Sequence, residues 1–359
     1  MTSGPLARLF QISVLAVIVV ITLVYGAGIL IPLAIALLIW MFINALARMF
    51  QRLWTPWFGP MRMLSLALAF LTLLVATFLV VDIIATNVSA MGTRTSDFER
   101  SLLILVDKVA EMTGVSNEKI INAIVSHLSV ERLLGAIVFG VIGIAGTASS
   151  LGIVFVYVIF LLVEQQFFDL KLKALVADEG RRDRIRSVLS RVTHDVQSYL
   201  WTMSIVSLLT AVLSYAAMAM VGVDSAVFWA FLIFILNFIP TVGSILGTAI
   251  PSLYALLQFG EFRPFLILVI SIGLIQFVVG NIIQPRMTAK SLNLSQFVVI
   301  LALFVWGAIW GIVGMFLAVP ITAVAMIILS NFPQTRALAI ALSESGGIGQ
   351  ETPSHGKEG

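Results

Sequence analysis

The sequence predicts an all-α polytopic integral membrane protein of about eight transmembrane helices, with two broken or re-entrant helical hairpins in its C-terminal half. Three observations predict it. Of 359 residues, 60% are hydrophobic and only 11% charged, against about 45–50% and 25% in an ordinary soluble domain. Seven runs carry no charge, 9–47, 63–81, 133–163, 196–223, 225–260, 264–285 and 291–335. Each reaches the roughly 18 to 20 residues with which a helix crosses about 30 Å of hydrocarbon. Two of them, 225–260 and 291–335, would be about 54 Å and 67 Å long as straight helices. That is too long for one crossing, and both contain turn-forming residues near the middle.

Several chemistries are excluded by what is missing. The chain has no cysteine, so disulfides, thiolate metal sites and cysteine nucleophiles are ruled out. His127, His194 and His355 are far apart and outside every uncharged run, which argues against a metal cluster or an intramembrane relay. No G-x-x-x-x-G-K-[ST] or His-Glu-x-x-His motif occurs, so neither ATP hydrolysis nor zinc proteolysis is expected. No enzyme activity, cofactor or metal is expected. The net charge of +3 sits in loops beside apolar runs and reads as membrane topology, not nucleic-acid binding.

The elements follow in order. Residues 1–84 hold the first three spans. Arg8 leads directly into apolar sequence without a cleavage site, so the first helix is retained. Gly26 and Gly28 suit a tight reversal between helices over 9–24 and 29–47. Arg48, Arg52 and Arg62, without an acid between them, place the next loop in the cytoplasm. A third span over 63–81 leads to an external segment, 85–132. There Phe98, Leu102, Leu105, Val106, Val109 and Met112, then Ile120, Ile121, Ile124 and Leu128, recur at helical spacing and predict two short amphipathic helices. The fourth span, 133–163, carries Gly135, Gly140, Gly143 and Gly146, a close-packing face. Residues 164–195 have seven basic and six acidic side chains. They read as a cytoplasmic amphipathic helix whose Ile185, Val188, Leu189, Val192 and Val196 approach the fifth span.

Residues 196–332 are read as the transport core and 333–359 as a disordered cytoplasmic tail. The core divides into two similar units, each an ordinary span, 196–223 or 264–283, followed by an interrupted stretch. The expected breaks are Pro240, Gly243 and Pro251 in the first stretch, and Gly307, Gly311, Gly314 and Pro320 in the second. In lipid such backbone is tolerated only where protein buries it or it lines a polar cavity. The basic residues at 181–191 put the start of the fifth span inside, and Arg286 with Lys290 does the same for the loop after the next ordinary span. The first interrupted stretch then re-enters on the side it left, and the second unit is inverted, the layout of secondary transporters. Eight simple crossings also place both termini in the cytoplasm, and that alternative stays open.

The series Asn237-Phe238-Ile239-Pro240-Thr241-Val242-Gly243, Pro251, Asn281-Ile282-Ile283-Gln284-Pro285-Arg286, Leu292-Asn293-Leu294-Ser295 and Trp306-Gly307, followed by Gly311-Ile312-Val313-Gly314-Met315-Phe316-Leu317-Ala318-Val319-Pro320, resembles the autoinducer-2 exporter family of bacterial permeases. The resemblance implies a multi-pass protein of the bacterial inner membrane, a homo-oligomer and specifically a pentamer, that moves small solutes by an elevator-like displacement. Some relatives are associated with export of the quorum-sensing signal autoinducer-2, others with exchange of sodium or lithium for protons. Gln296 stands where relatives often carry proline.

Candidate substrate-binding residues are Asn237, Pro240, Thr241, Gly243, Gln276, Asn281 and Gln284. An unpaired amide in hydrocarbon is costly, so Asn237, Asn281 and Gln284 must face protein or water. They either bind a polar solute, with backbone freed at Pro240 and Gly243, or cap broken helix ends. Thr248 could line the same cavity. Trp306 and Trp310 share a helical face and read as packing or interface anchors. Asp224 and Glu261 are the candidates for ion coupling, although both lie at run ends where a carboxylate is inexpensive. The reading is an exporter of a small polar, autoinducer-2-like solute. A sodium (lithium)/proton antiporter and a non-transporting membrane scaffold are the alternatives. The expected partners are the bilayer, the solute, Na+ or H+, and further copies of the chain, but no nucleic acid.

Overall fold

The computed structural model describes residues 5–58, 61–93, 95–114, 148–288 and 293–347, and among them the regular structure is helical. The helices are α1 (Pro5–Tyr25), α2 (Ala27–Phe58), α3 (Arg62–Thr93), α4 (Thr95–Thr113), α5 (Ala148–Glu164), α6 (Phe168–Leu175), α7 (Glu179–Val221), α8 (Ala226–Leu236), α9 (Val242–Phe259), α10 (Phe262–Val278), α11 (Gln284–Thr288), α12 (Gln296–Ser330) and α13 (Arg336–Leu342). Six stretches are long and apolar enough to cross a membrane: Ala27–Leu53, Arg62–Asn87, Glu179–Val221, Val242–Phe259, Phe262–Met287 and Gln296–Ser330. A seventh arises if Leu151–Glu164 and Phe168–Leu175, bent by 67°, count as one. The chain is an all-α polytopic membrane protein. The second expected amphipathic helix and most of the fourth expected span lie outside the described residues.

Gly26 lies between two separate helices, its N–H closing α1 on Thr22 O at 2.8 Å and its carbonyl opening α2 by accepting from Leu30 N at 2.9 Å. Three expectations are corrected. The third span continues to Thr93, past Asp82, because a single charge does not end a helix whose neighbours favour it. The basic amphipathic helix and the fifth span are one 43-residue helix, α7. The tail is ordered as far as Gly347: α13 leads to an antiparallel bridge between Leu294 and Ser343. Around it, Ser295 N bonds Leu342 O, Glu344 N bonds Asn293 O, and Asn293 Oδ1 accepts from both the amide and hydroxyl of Ser345.

The described residues fall into two compact units. The first comprises those within Met1–Ala45, Ser149–Leu200 and Lys290–Gly359, and the second those within Leu46–Ala148 and Trp201–Ala289. In the first, indole and amide groups bind helices together: Trp40 Nε1 donates to Gln165 Oε1 at 3.0 Å, Gln197 Nε2 to Met41 O at 2.8 Å, and Trp310 Nε1 to Leu23 O at 2.9 Å. In the second, α4 packs on α9 through the apolar face read from its spacing. Phe98, Leu105 and Val106 are buried, and the Phe98 ring meets Tyr254 edge-on at 5.5 Å. Lys108 Nζ donates to Gly260 O at 3.1 Å, a cation at the carbonyl end of α9 where the helix dipole favours it.

Each interrupted stretch folds back on itself. In the second unit, α8 stops at Leu236 and α9 starts at Val242, with Thr241 at φ +62° between them. A Cβ on Gly243 would lie 1.7 Å from the Leu236 carbonyl oxygen, so only glycine permits the approach. In the first unit, α12 leaves helical geometry at Gly311, φ +63° and ψ −144°, a conformation glycine adopts freely. Trp306 Nε1 then reaches Thr322 Oγ1 at 3.3 Å, although residues that far apart in a straight helix are separated by about 24 Å. A Cβ on Gly314 would fall 1.9 Å from the Trp306 carbonyl oxygen.

The expected breaks at Pro251, Gly307 and Pro320 are not breaks. All three sit inside helical arms, and Gly311 alone departs from helical angles in α12. Each proline removes one donor without ending its helix. Gly307 instead makes room for Met315, whose Cε would lie 2.9 Å from an added Cβ.

Two outcomes follow. Gly243→Ala and Gly314→Ala should each lower stability by about 2 kcal/mol or more, read as thermal unfolding in detergent. Gly28→Ala, whose methyl meets nothing within 4 Å, should leave it unchanged or raised. Asn293→Ala should cut hydrogen-exchange protection at Ser345 by about tenfold, since about 1 kcal/mol attaches to each hydrogen bond lost, with little change in α12.

Candidate functional site

The site is built at the reversal between α8 and α9. Proline at 240 fixes φ, Thr241 takes the left-handed region and Gly243 closes the turn. Three backbone bonds tie the turn: Gly243 N donates to Ile239 O at 2.9 Å, Val242 N to Pro240 O, and Ile245 N to Thr241 O. The Gly243 N–H and one lone pair of the Pro240 carbonyl are thus taken within the turn, which leaves the carbonyl a second lone pair. These two residues shape the turn. The serine and threonine hydroxyls of α9 are spent along its axis, Ser244 Oγ on Thr241 O and Thr248 Oγ1 on Ser244 O.

What the turn offers is side-chain amide. Asn237, at the end of α8, is half-buried, and its Oδ1 accepts from Gln276 Nε2 of α10 at 3.1 Å. Gly247 makes this possible, since a Cβ there would sit 3.3 Å from that same nitrogen. Close approach recurs where a Cβ on Gly273 would meet Thr248 Cγ2 at 4.0 Å. Two amides joined by one bond, in either orientation, leave one NH2 group and one carbonyl oxygen. The neutral pair can therefore donate to and accept from one solute, as a hydroxyl or carbonyl compound requires. Thr241, exposed beside it, adds a hydroxyl at the turn.

The other candidates do not join this pair. Asn281 is exposed and its Nδ2 donates to Phe277 O of its own helix at 3.0 Å. It lies in a π-helical turn, Val279–Ile283, where Gln284 N reaches back five residues to Val279 O. The wider turn gives Pro285 the space its ring would otherwise take from the preceding carbonyl. Gln284 points to α7, its Nε2 at 3.6 Å from Met203 Sδ. Asp224 and Glu261 bracket the far end of the hairpin: the Asp224 N–H donates to Gln258 Oε1 at 2.9 Å, and exposed Glu261 precedes α10. Sequence reasoning did not single out Met203, which nothing in the sequence marks, whereas Gly247 stands with Gly243 and Pro251 in the small-residue arm of the interrupted stretch.

The reversal of α12 carries two tryptophans, whereas that between α8 and α9 carries Asn237 beside a Phe234–Phe238 pair at 5.7 Å. Trp306 and Trp310 stack tilted at 5.1 Å, and both indole N–H groups are used within the unit. They are packing residues.

Comparison with known proteins agrees with this architecture. The family described as AI-2E family transporter matches residues 12–334. The "Putative transport protein YhhT" of Escherichia coli K12 is 28% identical over 88% of this chain and 88% of its own. The AI-2 transport protein TqsA of the same organism is 26% identical over 91% and 93%. A "Putative transport protein" of Borreliella burgdorferi is 34% identical, over 56% of each chain. A reversal within each of two long apolar stretches, a series of motifs between 237 and 320, and a family match over nearly the whole length converge: the chain belongs to the AI-2E family of transporters.

Proposed function

We propose that this transporter exports a small, uncharged polar solute of the autoinducer-2 kind, with Asn237 and Gln276 as its recognition pair and Thr241 beside them. The observation that carries the reading is the 3.1 Å amide–amide bond at a glycine-built helix reversal, which keeps a donor and an acceptor for a guest. The name of the relative TqsA, an AI-2 transport protein, supports the solute class. Loop charge supports two inverted span-plus-hairpin units with re-entrant tips and both termini in the cytoplasm of a bacterial inner-membrane protein. Transport would proceed by elevator-type alternating access in a homo-oligomer, a pentamer. Asn281 and Gln284 would border the path and not recognise the guest. A sodium (lithium)/proton exchanger has no specific observation in its favour, since the two carboxylates proposed for coupling, Asp224 and Glu261, stand at helix ends.

Flux of autoinducer-2 into proteoliposomes, under imposed proton and sodium gradients, tests this. Asn237→Ala and Gln276→Ala should each cut flux about tenfold, the factor set by about 1.4 kcal/mol of lost hydrogen bonding. Asn281→Ala should change it less than twofold. Undiminished flux in both amide variants would overturn the assignment, and a scaffold would show no flux in any of them.

A further inference from the structure

A row of hydroxyls in the second unit is used by neither the amide pair nor the hairpin. Ser207, Thr210 and Ser214 of α7 are each 0% exposed. With Met203 they recur at i, i+4, i+7 and i+11, which places all four on one face of the helix. The opposite positions Leu208, Val212 and Leu213 are exposed. Thr210 does what a hydroxyl in an apolar helix ordinarily does, donating to Val206 O at 2.9 Å. Ser207 and Ser214 do not. Neither Oγ exposes surface, and neither has a partner among the described residues.

A hydroxyl shut inside a protein without a partner is unfavourable, and alanine would fill the same space without that cost. Two such groups on one face, in register with a third, call for something that hydrogen-bonds to them in another conformation. The same face also meets Gln284, whose Nε2 lies 3.6 Å from Met203 Sδ. From Ser207 to Ser214 the row extends about 10.5 Å along the axis and carries no formal charge. Hydroxyls that both donate and accept suit a neutral, hydroxyl-bearing solute. A bare cation would want carboxylates or carbonyls.

We propose that Ser207, Thr210 and Ser214 form a second polar binding surface, the wall along which a small neutral solute and its waters pass beyond Gln284, and that the conformation described here is the one in which this wall is closed. The inference rests on the transporter reading above.

The absence of native cysteine makes the test clean. Ser207→Cys and Ser214→Cys, in the full chain in proteoliposomes, are treated with 2-aminoethyl methanethiosulfonate. Glu179→Cys, on a side chain 85% exposed, serves as the reactive control, and Ile43→Cys, on a residue 0% exposed, as the closed one. Both serine variants should react at least tenfold faster than Ile43→Cys, and saturating autoinducer-2 should slow them several-fold. Ser207→Ala/Ser214→Ala, which only removes two oxygens, should fold normally and lower flux at least tenfold. Reactivity no greater than that of Ile43→Cys, or unchanged flux in the double alanine variant beside an active wild type, would overturn the proposal. If the wild type moves no solute yet both cysteines react, the wet surface stands and the transport reading falls.

Discussion

The structure depends on one constraint: a chain that reverses inside apolar surroundings must satisfy its own backbone at the turn. Both long uncharged stretches reverse, and both do so through glycine. At Gly243 and Gly314 the missing side chain lets one helical arm lie on a carbonyl of the other, at Leu236 and Trp306. In the first hairpin three turn bonds tie Ile239, Pro240 and Thr241 carbonyls to the start of α9. The consequence is chemical as well as structural. With part of the main chain occupied, specificity falls largely to side chains, and of the two described reversals the one between α8 and α9 carries the amide pair.

The same division separates the two hairpins in character. One holds Asn237 against Gln276, with glycine at 247 admitting the longer side chain. The other closes on two tryptophans whose polar edges are already bonded. Stretches that look alike in sequence thus offer a guest very different surroundings. The π-helical turn before Pro285 turns Gln284 toward Met203 on α7, so the polar groups of α10 and α11 serve two neighbours and not one cavity.

Much of this was legible in the sequence. Uncharged run lengths fixed the class, helical spacing gave the buried face of α4 at Phe98, Leu105 and Val106, and turn residues located the interruptions at 237–243 and 311–314. The errors share a physical origin. Pro251 and Pro320 looked like breaks because isolated helices do not tolerate proline, whereas packed apolar helices do. The C-terminal segment looked disordered by composition, yet Asn293 collects its backbone and hydroxyl groups through long-range bonds that no local pattern reports. Asn237 was legible as an amide that must find a partner. That the partner is Gln276, with Gly247 leaving room for it, shows only once α9 and α10 pack.

The central claim is that a glycine-built helix reversal presents an amide pair to a neutral solute. A cryo-electron microscopy map of the protein in lipid nanodiscs with saturating autoinducer-2 tests it most directly. The account predicts solute density within hydrogen-bonding distance of both Asn237 and Gln276 beside an intact turn at 240–243. Density bound elsewhere, with the two amides packed against lipid or protein and no guest between them, would contradict it.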